Sequence, residues 1–368
     1  MNMFGTSRPG LTAGLVHPSD ERWSRALASA PHDVYATADY VLADAEINAT
    51  EPSGFLVVDE DRVFLLPLLI RDVELVGSDT ARAKDAISPY GYPGIVLSPA
   101  ARQTPGFVDC CLARLREEAR ARDIVSIFVR VHPWLNADLT SLVERFEVTP
   151  NGATVSIDLD RPEPDIWSAM RKGHTNAINK ATRVGYDVDI GAVGDQFDDL
   201  ALAYRETLER LGQASKDESD LDRLRRFASL DEARVAVARL HGEVAGAYLF
   251  FECNGIVQMH LGGTRTEFMK LSPSHLLIHR VALWAKGRGN HIAHLGGGVG
   301  GSTTDSLFKF KSGFSPTRCP YETLRIVTDR PRYERLIDAR ARHLGEPRDS
   351  LLRCEYFPAY RVDSPGRA

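Results

Sequence analysis

Residues 234–262 constrain the fold more than any other part of the chain. Three strand-like runs, Arg234–Leu240, Val244–Glu252 and Ile256–Gly262, are separated by only three residues each, with His241-Gly242 and Asn254-Gly255 as the turns. Asn-Gly adopts the left-handed conformations of a two-residue hairpin with little strain, so alternating apolar runs joined by it fold as adjacent antiparallel strands. The flanks restrict this meander further. A helical stretch, Asp195–Leu211, precedes it, and Ser272-Pro273 opens another helix that runs to about Arg288. Proline suits the first helical position, where no N–H is needed. The strand Ile292–Leu295 follows, then a glycine loop, a short helix near Asp305–Ser312 and the strand Tyr321–Thr328. Helices interleaved with strands in this order predict a mixed α/β domain, its strands mostly antiparallel.

The first half repeats the theme. Helices are expected at about Ser19–Ser29 and Ala38–Ile47, with strands Phe55–Asp59 and Val63–Val73 about the turn Glu60-Asp61. Then come the loop Ser88-Pro-Tyr-Gly-Tyr-Pro-Gly94, a helix from about Thr104 to Arg122 and the strand Ile124–Val131. Asn151-Gly152 reads as a turn, after which Val155–Leu159 starts the pattern again. A basic helix, Asp165–Val184, is stopped by Gly185. A chain of 368 residues exceeds one ordinary core. The patterns divide it into an N-terminal domain, 1–150, a C-terminal domain, 151–345, and an extension, 346–368, closing back on both and ending in the polar tail Ser364–Ala368.

Composition excludes some classes. With 50 acidic against 45 basic residues the formal charge is −5, so the whole chain is no polycation, although a local basic patch can still bind phosphate; DNA is not among the expected partners. The longest apolar run, Phe64–Ile70, falls far short of the ~20 residues that span a bilayer, so no membrane span is expected. Met1–Gly10 lacks the basic-then-apolar pattern of a signal peptide. Five cysteines, without CxxC or clustered histidines, predict reduced thiols in the cytoplasm and no zinc or other metal site.

The candidate chemistry sits at the end of this order. His294-Leu-Gly-Gly-Gly-Val-Gly-Gly301 carries five glycines just past an apolar strand. Glycines there either aim backbone N–H groups at a ligand or form a flexible connection. Wound as a helix, Leu307, Phe308, Phe310, Lys311 and Phe314 share one arc with Lys311 near its centre. A lysine in an apolar stripe either snorkels to the rim or sits in a desolvated cleft, where its charge stabilises an oxyanion or a phosphate. On the basic helix Lys172, Asn176, Asn179 and Arg183 form a cationic face for phosphates or a solvated surface. His174 falls on its apolar side, as a hydrogen-bonded core histidine would. His260, on the third meander strand, is a candidate general base for an attacking amine. Tyr90 and Tyr92 either line an acceptor pocket or form a packed turn.

These segments together resemble the FemABX-like proteins of the GNAT acyltransferase superfamily. The carriers are the glycine run with Asp305-Ser-Leu-Phe-Lys-Phe-Lys-Ser-Gly-Phe314, the Ser88–Gly94 loop and the helix Arg171–Ala181. Tyr204-Arg-Glu-Thr-Leu-Glu-Arg-Leu211 and the closing Tyr356-Phe-Pro-Ala-Tyr-Arg361 also match, so the likeness spans nearly the whole chain. It implies two GNAT-like domains in tandem and transfer of an acyl group to an amine without a bound cofactor. The family's best-known members take an aminoacyl group from aminoacyl-tRNA to a peptidoglycan precursor, and relatives act on small molecules. It places Lys311 in the catalytic cleft and maps a phosphate-contacting arginine to Arg210. Tyr204, Lys172, Gly296, Gly297, Gly298, Asp305 and Phe310 lie on the matching segments and are expected to bind substrate.

Three departures bear on the substrate. The basic helix holds less arginine than is usual, and 212–232 is too short for the long helical arm of some members. The pyrophosphate loop of acyl-CoA users, Q/R-x-x-G-x-G/A, is replaced by Arg265-Thr-Glu-Phe-Met-Lys-Leu-Ser272. Without its backbone donors coenzyme A loses its main anchor. The expected donor is therefore an aminoacyl-tRNA, with acyl-CoA as the alternative enzyme reading and a non-catalytic binding module as the alternative outside enzymes.

Overall fold

The computed structural model describes residues 11–74, 83–213, 219–354 and 356–363. The segments 1–10 and 364–368 discussed above lie outside the described residues. The chain divides into two compact units, 1–151 with 321–368, and 152–320.

The first unit has strands β1 (Thr12–Val16), β2 (Glu51–Asp59), β3 (Arg62–Asp72), β4 (Lys84–Ile87), β5 (Val96–Leu97) and β6 (Ile124–Arg130). Its helices are α1 (Glu21–Ala28), α2 (Ala38–Ile47), α3 (Pro99–Gln103), α4 (Phe107–Ala121) and α5 (Leu139–Leu142). The second unit has β7 (Val148–Asp158), α6 (Glu163–Ala169), α7 (Lys172–Val184), β8 (Asp187–Ala192), α8 (Phe197–Leu211), α9 (Ser219–Ala228) and β9 (Ala233–Leu240). It continues through β10 (Glu243–Cys253), β11 (Ile256–Thr264), α10 (Pro273–Gly287), β12 (Ile292–Gly296) and α11 (Ser306–Lys311). Then β13 (Arg318–Val327), α12 (Arg330–Leu344) and α13 (Arg348–Arg353) return the chain to the first unit.

The order in the first unit's sheet is β1-β2-β3-β4-β6-β13, with β5 on β3, and in the second β7-β12-β11-β10-β9-β8. The turns of the second meander follow the sequence signal: φ is positive at both His241 (53°) and Gly242 (85°), and at Asn254 (47°) and Gly255 (77°). Phe107, Leu112 and Leu115 of α4 bury one face of the first sheet with Phe55, Phe64 and Ile127. In the second unit Ile178 of α7, Leu277 and Val281 of α10 and Phe308 of α11 close over Phe250, Val257 and Leu295. Helix α8 packs against β10 and β11.

Several expectations need correction. The second domain does not run to 345, because β13 pairs with β6 and α12 packs on the first unit's η turn at Ala359–Arg361. Strand β7 follows β6 in sequence yet pairs with β12, while β13, from far along the chain, takes the place beside β6. Asn151-Gly152 is no turn but lies inside β7; a Cβ at Gly152 would sit 2.0 Å from the Gly301 carbonyl oxygen, which only glycine admits. The basic helix is broken into α6 and α7 at Met170 and Arg171, both extended, where the Arg171 N–H donates to the Gly313 carbonyl at 2.9 Å instead of to its own helix. Helix α12 was overlooked despite its Asp329 cap, early Pro331 and terminal Gly345. No helix among the described residues is long and apolar enough to cross a membrane, and none of their His, Cys, Asp and Glu clusters suits a metal ion.

Candidate active site

Strand β12 ends at Gly296, whose φ of 76° turns the chain into the glycine loop. Asp305 organises that loop from the far side. One carboxylate oxygen accepts the Val299 N–H at 2.8 Å, and the other caps α11 by accepting the Phe308 N–H at 2.7 Å. The Phe308 N–H is the main reason the Asp305 carboxyl is held below the usual carboxylate range. Gly298 passes so close that a Cβ would lie 2.1 Å from Asp305 Oδ2. Here glycine is needed for close approach.

Lys311, the last residue of α11, reaches back over the loop, and its Nζ donates to the Gly297 carbonyl at 2.8 Å. Burial pushes the ammonium down to about 8, while the Asp305 carboxylate pulls it up. A carbonyl partner orients the charge without neutralising it. The expected arc is kept by Phe308 and Phe314, both buried, and by half-buried Phe310; Leu307, in the first turn of α11, is 40% exposed and leaves it.

The end of α11 is clamped from α7 and α10. His174 Nε2 donates to the Phe310 carbonyl at 2.7 Å, and burial lowers its pKa, which suits a neutral donor. Arg171 Nη2 donates to Ser312 Oγ at 2.9 Å. A Cβ on Gly313 would meet His174 Cε1 at 2.0 Å. His275, in the first turn of α10, meets the Phe310 ring edge-to-face at 4.9 Å. Phe310 is thus part of an aromatic clamp that carries Lys311. His174 has the structural role its position suggested, and His275 was missed because one histidine after a helix start carries no pattern.

Between β11 and β12 the sheet opens. Their parallel pairing covers Ile256↔Ile292, Val257↔Ala293 and Gln258↔His294. Beyond that, β11 continues to Thr264 against β10 and β12 to Gly296 against β7, with no pair between β11 and β12 among the described residues. Lys311 and the glycine loop stand on the β12 side of this gap. On the β11 side Arg210 donates to the Thr264 carbonyl at 3.1 Å and to Thr266 Oγ1 at 3.2 Å, and Tyr248 donates to Ser274 Oγ at 3.0 Å at the start of α10. The His275–Phe310 contact ties the two sides together.

Residues 168–309 match the family model described as "Acetyltransferase (GNAT) domain", ending just before Lys311. Over these residues the chain is similar to a GNAT acetyltransferase domain, and its fold is shared with FemX. FemX is 12% identical and superposes with a TM-score of 0.67 over 87% of this chain and 98% of its own. The C-terminal domain of a putative lysylphosphatidylglycerol synthetase from Agrobacterium fabrum is 14% identical, with a TM-score of 0.54 over 88% of this chain and 94% of its own. L-PGS from Bacillus licheniformis is 13% identical, with a TM-score of 0.54 over 88% and 97%. No curated protein sequence matches.

The remaining expected residues fare differently. His260 is not placed as a base. It is the extra residue of a β-bulge, unmatched between Leu249↔Leu261 and Phe250↔Met259. Its ring is wedged between Phe227 at 4.9 Å and Phe251 at 4.8 Å. Burial drives its imidazole down to about 3, with Arg223 acting in the same direction, so it is far too weak a base near neutral pH. Tyr204 is only 8% exposed, on the buried stripe of α8 with Leu200 and Ala203. Lys172 is exposed at the start of α7, as a solvated face predicts. Tyr90 and Tyr92 belong to the first unit. Tyr90 is 50% exposed, with its N–H held by Asp44 and its carbonyl by the Tyr40 hydroxyl. Tyr92 is half-buried, edge-on to Tyr321 at 5.4 Å.

Proposed function

We propose that this protein transfers an aminoacyl group from aminoacyl-tRNA to the amine of a small molecule or a peptidoglycan precursor. The observation that carries the reading is Lys311, an ammonium fixed on the Gly297 carbonyl beside the gap between β11 and β12. The acceptor nitrogen attacks the ester carbonyl, a new C–N bond forms, and the C–O bond to the ribose oxygen breaks as that oxygen takes up a proton. No covalent enzyme intermediate is needed. Lys311 stabilises the negative charge that develops on the carbonyl oxygen, while Gly296, Gly297 and Gly298 leave room for the substrate to approach. Asp305 fixes the loop and Phe310 the helix.

The choice of donor rests on the segment that replaces the pyrophosphate loop. Thr266–Leu271 is a 3-10 helix, and several backbone donors at it are already engaged. The Thr266 N–H is bound by the Glu206 carboxylate at 2.9 Å, and the Phe268 and Ser272 N–H groups by the Arg265 and Met269 carbonyls. The Glu206 carboxylate, itself paired with Arg265 at 2.8 Å, thus occupies a backbone donor that a pyrophosphate would need. The resemblance to FemABX-like proteins points the same way. The test is to incubate the protein with charged tRNA and, separately, with acetyl-CoA, each with a pool of amines. Loss of the aminoacyl ester with formation of an amide is the expected result. Consumption of acetyl-CoA alone gives the acyl-CoA enzyme, and consumption of neither gives a non-catalytic binding module.

A further inference from the structure

The first unit holds a second concentration of positive charge. On the β6–β13 ladder Arg130 stands opposite Thr323, and Phe128 opposite Arg325. Residues facing each other across an antiparallel pair project to one side, and side chains alternate along each strand. Phe128, Arg130, Tyr321, Thr323 and Arg325 therefore share a face, while Ile127, Val129, Leu324 and Ile326 enter the core. Arg130 lies over the Phe128 ring at 5.2 Å and donates to the Ser88 carbonyl at 3.0 Å. Arg325 donates from Nη2 to Asn151 Oδ1 at 3.3 Å, and its Nε is buried without a hydrogen-bond partner. Both arginines are half-buried, and among the described residues neither forms an ion pair. By contrast Arg71 and Arg361 in the same unit both pair with Asp85.

Tyr321 is close to both guanidiniums. Burial raises its phenol, and the Arg130 and Arg325 charges act against that rise. Diagonal neighbours on such a ladder are about 7–8 Å apart at their Cα atoms, so two long arginines there reach a common point. Like charges on a partly desolvated face repel, and a buried guanidinium N–H without an acceptor is costly. One bound oxyanion reverses both terms, accepting charge-assisted hydrogen bonds from both forks.

We infer that the β6–β13 face is a binding site for a small oxyanion, a carboxylate or a phosphate, held by Arg130 and Arg325 beside the Tyr92–Tyr321 pair. The inference goes beyond the acyl-transfer reading and needs no donor to test. Isothermal titration of the full chain in a low-salt zwitterionic buffer uses pyrophosphate and, separately, glutarate as probes. At least one of them binds with one-to-one stoichiometry, and Arg325→Gln and Arg130→Gln each weaken it tenfold or more. Arg114→Ala, on the exposed side of α4, leaves binding unchanged. Preference for pyrophosphate marks a phosphate-bearing ligand, and preference for glutarate a carboxylate. If Arg325→Gln loses the native circular-dichroism spectrum, Arg130→Gln alone decides, since the Arg130 side chain forms no ion pair among the described residues and bonds the Ser88 carbonyl and Tyr321 from over the Phe128 ring. Failure of both probes to bind the wild type, or binding that survives the substitutions, overturns the site.

Discussion

In the first unit the meander β2–β3–β4, helix α4 and the parallel strand β6 lead into a sealed corner; in the second the same order, β9–β10–β11, α10 and β12, leads into the glycine loop. The corner after β6 is polar but saturated. His132 Nδ1 accepts the Trp134 and Leu135 N–H groups at 3.1 and 3.0 Å, which leaves its Nε2–H to donate to Asp33 at 3.1 Å. Asn136 bonds both the N–H and the carbonyl of Ile95 at 2.8 Å. His132 and Asn136 are wholly buried. After β12, Val299 is 64% exposed and a partly desolvated cation rests on a neutral carbonyl. The same order of elements thus ends in a saturated polar corner in one place and in an open glycine loop beside a buried cation in the other, and the difference lies in the residues after the parallel strand.

Substitutions on the two sides should separate accordingly. Lys311→Ala is expected to lower turnover by roughly 10²-fold or more, with the circular-dichroism spectrum and melting temperature little changed. His132→Ala should do the reverse. It removes one partner of the buried Asp33 carboxylate and the acceptor of the Trp134 and Leu135 N–H groups, and destabilises the fold by about 3 kcal/mol, read by urea unfolding, with no loss of turnover per folded molecule. A loss of activity without a loss of stability there would break the comparison. Gly298→Ala is expected to have a smaller effect, roughly tenfold on turnover, because its Cβ displaces the Asp305 carboxylate that shapes the loop. Unchanged kinetics in that variant would remove the loop from the mechanism.

The locally encoded features were legible in the sequence. Asn254-Gly255 fixed its hairpin through backbone conformation, and Pro273 marked the start of α10. Glycines before an apolar stripe singled out Lys311. The strand exchange was not legible, since nothing in β7 or β13 says whether its edge partner is the neighbouring strand in sequence or a distant one. The same limit explains His260. Strand alternation places it on a face, but the phenyl rings that depress its basicity come from α9 and β10. Asp305 was noticed only as part of a motif, and its double hydrogen bond to Val299 and Phe308 required the folded loop. Arg130 and Arg325 lie far apart in sequence and become neighbours only because β13 pairs with β6.

The account rests on Lys311 acting as a cation, and the pH dependence of turnover tests this most directly. With its pKa lowered to about 8, the ammonium is fully present below that pH and is lost as pH rises through it. Wild-type kcat, measured at saturating donor and acceptor, should therefore fall with a midpoint near 8. In Lys311→Arg the guanidinium stays charged to above pH ~12, so this limb should vanish. Turnover that instead rises through pH 8 in the wild type, with the rise abolished in Lys311→Arg, would make Lys311 a base and contradict the account.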